Sequence, residues 1–213
     1  MRSGTLSIVV AMTMALAATA CEGEDEDGDG IDGDELGQVL SDPQDSAVRL
    51  EVLSASDVDE SADLLSMLPA ARMSLDVGFD EAASDGFVIS GKFELSDEGA
   101  GPISLSVYTA RAGKQTIPEE NELVELAGDP TGSSWTPGAE VFEDFEHIAR
   151  SSQQLTLMQT TSVSLASVAR AAASLGTVYR VEPAVRQGRP VFRLLVADEG
   201  GGASEVFLAL QPI

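Results

Sequence analysis

Phe93–Val107 reads FELSDEGAGPISLSV, and Leu194–Leu208 reads LLVADEGGGASEVFL. Each pairs two alternating apolar runs across the tight loop Asp-Glu-Gly-x-Gly, at an offset of 101 residues with no gap. A near-repeat of this kind implies one small unit built twice. The expected fold is therefore α+β, with two repeated units. Each would be a helix packed on a small antiparallel sheet, the two joined by a connector helix.

Working outward, Val48, Leu50 and Val52 alternate with Arg49 and Glu51, the mark of a half-buried strand. Ser54 and Ser56 are expected to open a helix that Pro69 ends, with Val58, Ala62, Leu65 and Leu68 on one face. Met73, Leu75, Val77 and Phe79 alternate with polar residues and predict a strand. Ser84-Asp85-Gly86 predicts a turn. Phe87, Ile89, Phe93 and Leu95, then Ile103, Leu105 and Val107, predict two more strands, with Gly91 at a bulge. This first unit spans residues 47–110.

Residues 111–150 read as a connector with a short strand at Leu123–Ala127. Thr136-Pro137 would start its helix, with Val141, Phe142, Phe145, Ile148 and Ala149 as the apolar stripe. Trp135 reads as a core anchor. His147, the only histidine, makes half a metal site at most and reads as a solvated or capping residue.

The second unit spans residues 151–213. Ser164 caps a helix that Gly176 ends. Tyr179 and Val181 start a strand, Arg186-Gln-Gly188-Arg189-Pro190 turns it, Phe192, Leu194 and Val196 return, and Val206 and Leu208 close the sheet. The pattern from Ser164 through Gly176, with Val185–Val196 and a third strand after a Gly loop, resembles a PepSY-type module. That resemblance implies a domain that binds or restrains protein partners and does not catalyse.

At the other end, Arg2 precedes an apolar run, Ile8 to Ala18, which is about half the ~20 residues of a membrane span. Ala18-Thr19-Ala20 before Cys21 resembles the lipobox of bacterial lipoproteins, with residues 1–20 as the signal peptide. The resemblance implies lipidation of Cys21, the only cysteine, by a diacyl pair and an amide-linked palmitate-like chain. Glu22 stands where the inner-membrane retention residue of enteric lipoproteins would be Asp, so the outer membrane is the favoured address.

Residues 21–46 hold eleven acids and no bases, and are expected to form a disordered tether. Asp25, Asp27 and Asp29, with Gly30, resemble the first half of a DxDxDG calcium loop. Gly33 and Leu36 occupy later ligand positions, so weak calcium attraction is expected and no other cofactor.

The net charge of −24 argues against nucleic acid as a partner. Residues 47–150 carry 21 acids and 6 bases, whereas 151–213 carry 4 acids and 5 bases. Arg180 and Arg193 fall on the polar face of the second sheet, with Arg186 and Arg189 in the adjoining turn. They would either complement the acidic first unit or form a contact face for an acidic protein partner. No nucleophile motif, phosphate loop or dinucleotide glycine signature occurs. The leading expectation is a membrane-anchored envelope lipoprotein that binds or regulates a partner, for instance an envelope peptidase. A structural or calcium-responsive surface lipoprotein is the alternative, and a carboxylate-based hydrolase ranks third.

Overall fold

A computed structural model describes residues 37–96, 102–111 and 122–209. Its strands are β1 (Val39–Ser41), β2 (Arg49–Asp57), β3 (Phe87–Leu95), β4 (Ile103–Arg111), β5 (Glu122–Gly128), β6 (Gly138–Val141), β7 (Thr177–Arg186), β8 (Arg189–Ala197) and β9 (Ala203–Ala209). Its helices are α1 (Ala62–Met67), α2 (Leu75–Ala82), α3 (Phe145–Met158) and α4 (Leu165–Ala172). All nine strands form one sheet in the order β1-β2-β9-β8-β7-β3-β4-β5-β6, with antiparallel neighbours throughout.

This overturns the expectation of two separate helix-on-sheet units. The strand assigned to the start of the first unit, β2, pairs with β9 at the end of the second, Ala55 opposite Val206. The connector supplies β5 and β6 to the same sheet, and the first part of α3, residues 145–150, which packs on it. A sheet edge left bare by either half would expose unpaired backbone donors and acceptors, and joining β3 to β7 removes two such edges.

A segment does recur, but at a different phase. Residues 74–88 and 164–178 share Ser, Leu, Ala, Ala, Ser, Gly and Val at an offset of 90 residues. Both lead from a helix into a strand, and both strands carry an irregularity at the same place, between Val88 and Ser90 and between Val178 and Arg180. The strands meet at Gly91 opposite Val181, positions that correspond under this offset. The Asp-Glu-Gly-x-Gly match at 101 residues instead aligned β3–β4 with β8–β9, one strand out of phase.

The correspondence also explains the main local error. Residues 75–82 are helical, not extended. Leu75, Gly78, Phe79 and Ala82 are buried at helical spacing, while Val77 points outward. Met-Ser-Leu-Asp-Val-Gly-Phe satisfies both periods over seven residues, and only the continuation to Ala82 favours 3.6. Other boundaries shift too. Ser54 and Ser56 lie in β2, and Ser61 caps α1 by accepting the Leu64 amide. Residues 138–141 are strand, and Asp144 caps a 14-residue α3 that runs on through Leu155-Thr-Leu157. Phe145 is solvent-exposed, not on the apolar stripe.

The main core lies under α2 and α4. It joins Leu50, Val52, Phe79, Phe93, Leu105, Val107, Val168, Phe192, Leu194 and Leu208. The inner-face residues read in β7, β8 and β9 are buried, among them Val181, Phe192, Leu194, Val206 and Leu208. The other face carries a smaller cluster of Ile89, Ala110, Leu123 and Leu155, the last from α3. Ile89 reaches this face because the bulge before Ser90 reverses the alternation, so it does not share a face with Phe93. Leu95 is exposed.

Two glycines permit close approaches. A Cβ on Gly91 would lie 2.4 Å from Phe79 Cε1, so the missing side chain lets α2 rest on the centre of the sheet. Gly176 has φ +142°, and a Cβ there would meet the Ala197 carbonyl oxygen at 2.4 Å.

Residues 37–46, expected to belong to a disordered tether, fold with the sheet, and residues 21–36 lie outside the described residues. β1 belongs to the sheet, Leu40 is buried, and the fully covered Asp42 carboxylate accepts from Arg170 Nε of α4 at 3.1 Å. Burial opposes ionisation of Asp42, but Arg170, the Gln44 amide and Ser167 outweigh it and hold its pKa below the ordinary 3.8. A depressed carboxylate contributes stability that is complete above its unfolded value and is lost as pH falls through its folded value. Urea denaturation from pH 6 to pH 2 should therefore show an acid limb that Asp42→Asn flattens. At neutral pH, Asp42→Ala should cost about 2 kcal/mol, because it leaves the largely buried Arg170 with only the exposed Asp80 as an ion-pair partner. An unchanged midpoint would show that the Asp42–Arg170 pair contributes nothing.

Candidate functional site

The four arginines separate into two settings. Gln187 and Gly188 connect β7 to β8 with φ of 50° and 71°, a two-residue turn that matches the strand twist. Arg186 and Arg189 flank this turn as a cross-strand pair. Arg186 hydrogen-bonds Ser54 Oγ of β2 and lies over the Phe207 ring, 4.4 Å from its centroid. Arg189 is exposed and has no ion-pair partner among the described residues.

Arg180 and Arg193 belong instead to a charge ladder on the α3 side of the sheet. Arg193 donates from Nη1 to Glu182 Oε1 at 2.7 Å and from Nε to Glu205 Oε1 at 2.6 Å. Arg180 donates from Nη2 to Glu182 Oε2 at 3.1 Å. Gln154 of α3 donates to the same oxygen at 3.2 Å and accepts from Ser90 Oγ at 2.9 Å. Lys92, opposite Arg180 across the β3–β7 junction, pairs with Glu94, which also accepts from Ser106 at 2.7 Å. Burial works against the charge of Arg193, but Glu182 and Glu205 outweigh it and raise its pKa.

Arg180 and Arg193 are thus compensated by Glu182 of β7 and Glu205 of β9, not by the acidic first half. Arg180-Val-Glu182 places both charges on one strand face, a signal readable in the chain. Nothing local marks Gln154, whose partners lie 64 and 28 residues away.

His147 is bonded to Asp144 through Nδ1 at 2.7 Å and stacks on Phe142, which stacks on Tyr108. Burial pushes the Tyr108 hydroxyl pKa upward, and Glu125 and Glu94 push it further. Beside the ladder, the face opens into an acidic cleft of about 520 Å³ lined by Glu94, Glu125, Asp129 and Glu140. Among the described residues, no three His, Cys, Asp or Glu side chains are placed to hold a metal. Cys21 and the Asp25, Asp27, Asp29 loop lie outside the described residues.

No family model, curated protein or solved structure matches this chain. No helix among the described residues is long and apolar enough to cross a membrane.

The ladder predicts unequal mutational costs. Glu182→Ala removes the acceptor shared by two arginines and Gln154, and should cost about 3 kcal/mol. Arg189→Ala, at an exposed position, should cost less than about 0.5 kcal/mol. Equal losses in chemical denaturation would contradict this division.

Proposed function

We propose that the protein is a non-catalytic binding module of the cell envelope, tethered to a membrane, with the outer membrane favoured, by a lipid on Cys21. Its contact element is the β7–β8 hairpin, and its partner is an acidic envelope protein. Restraint of an envelope peptidase, which the PepSY-type pattern suggests, is the specific form of this reading.

The observation that carries it is the hairpin end of the sheet. Here Arg189 has no ion-pair partner among the described residues and Arg186 is fixed over Phe207. Exposed Val185 and Leu53 flank these residues along β7 and β2. Cation and apolar surface together, in a chain of net charge −24, suit a partner with acidic groups and apolar contacts. Arg180 and Arg193 support the sheet behind the hairpin.

Two measurements test the two parts. Cys21→Ser should move the protein from the membrane to the soluble fraction, and mass spectrometry should find acyl chains on the mature cysteine. An unmodified peptide spanning that residue removes the anchor from the reading. A photo-crosslinker at residue 185 should capture an acidic envelope protein. Arg186→Glu with Arg189→Glu should abolish that adduct while shifting the melting temperature by only a few degrees. An adduct indifferent to both reversals would sink the hairpin as the contact element.

A further inference from the structure

Between α3 and the β3–β7 junction lies a small cleft that the hairpin reading does not use. Ser90, Gly91 and Gln154 contribute to its lining, with Lys92, Arg180 and Glu182 from the sheet and Arg150 from α3. Tyr108 and His147 add aromatic surface. We infer that this cleft is a binding site for a single carboxylate group presented by a peptide.

Size sets the first limit. The cavity measures about 40 Å³. One buried water needs about 10–15 Å³ on this measure, so the space admits a group of a few heavy atoms and no sugar or nucleotide ring.

Charge sets the second. The chain has 12 Lys and Arg in all, and three of them line this cleft. Lys92 is paired with Glu94, and Arg180 and Arg193 share Glu182, with Glu205 also on Arg193. Arg150 has no ion-pair partner among the described residues and is exposed. Glu125, bonded to Tyr108, balances the count of cations and carboxylates, so the recognition falls to Arg150, whose single charge suits a monoanion. A phosphate dianion would overcompensate it and lie close to Glu182.

The donors are preorganised. Gln154 is held by Ser90 and Glu182, which fixes the floor. Arg180 commits one N–H to Glu182, and a guanidinium carries five. Its free donors and those of Arg150 can meet a carboxylate with charge-assisted hydrogen bonds. The Tyr108–Phe142–His147 stack gives the carbon chain behind that group an apolar surface. A peptide therefore fits the cleft better than a bare inorganic anion.

The test is a titration of the full-length chain, following the Arg150 and Arg180 Nε–H and Gly91 amide signals by NMR. The probes are acetyl-trialanine with a free C-terminus, its C-terminal amide, acetyl-Ala-Glu-Ala-amide, and inorganic phosphate. Saturable shifts with the first or third probe and none with the second support the site, and show whether the carboxylate comes from a chain end or a side chain. Arg150→Gln should weaken that binding by about tenfold or more, with one charge-assisted bond lost. Arg189→Glu should leave it unchanged, which separates this site from the hairpin. The inference is overturned if the amide probe shifts the same signals equally, if phosphate binds more tightly than both carboxylates, or if neither carboxylate saturates.

Discussion

The sheet is continuous because two residue pairs hold at its centre, Gly91 with Val181 and Lys92 with Arg180. Either side of this junction is a robust antiparallel array, with seven pairs between β4 and β5 and nine between β7 and β8. The junction itself is short, so other contacts must fix it. On one face α2 packs on α4, and Arg170 of α4 reaches Asp80 of α2. On the other, α3 spans β3, β5 and β7, and Gln154 ties Ser90 to Glu182 across the seam. Gly91 is required here because any side chain would drive Phe79 off the sheet. The helices thus act as splints across a weak line.

How much of this was legible in the chain depended on the range of the interaction. In the strands from Thr177 to Ala209 the residues of the expected inner face, Tyr179, Val181, Phe192, Leu194, Val196, Val206 and Leu208, are all buried, although β7 carries an irregularity and Leu195 is buried as well. Ser164 caps α4, and Gly176 ends the 3-10 turn, Ala173–Leu175, that continues it. The segment after Met73 was misread because its apolar residues fit two periods. Comparison of Ser74-Leu75 with Ser164-Leu165 would have corrected it. The pairing of β2 with β9 leaves no local mark, since alternation says that a strand is half-buried and not which neighbour it has. The joining of the two halves was lost for that reason.

The site shows the same division. The arginines were identifiable by their place on the polar face, and Arg180 with Glu182 is a local pattern. Their partners from α3 were not, because that helix was expected to end near residue 150. The length of α3 decides what covers the sheet. Its first turns bring His147 and Arg150 to the cleft, and its later turns supply Gln154 and Leu155.

The adjacency of β2 and β9 has a consequence for the order of events during synthesis. Ala55 and Val206 are 151 residues apart in the chain yet face each other in the sheet. Closing a loop of that length costs on the order of 4 kcal/mol in chain entropy, and long-range pairing of this kind slows folding. β2 leaves the ribosome about 150 residues ahead of the strand it pairs with. Until then β2 has only the three-residue β1 beside it, so a chain interrupted before residue 203 keeps an open, partly apolar edge.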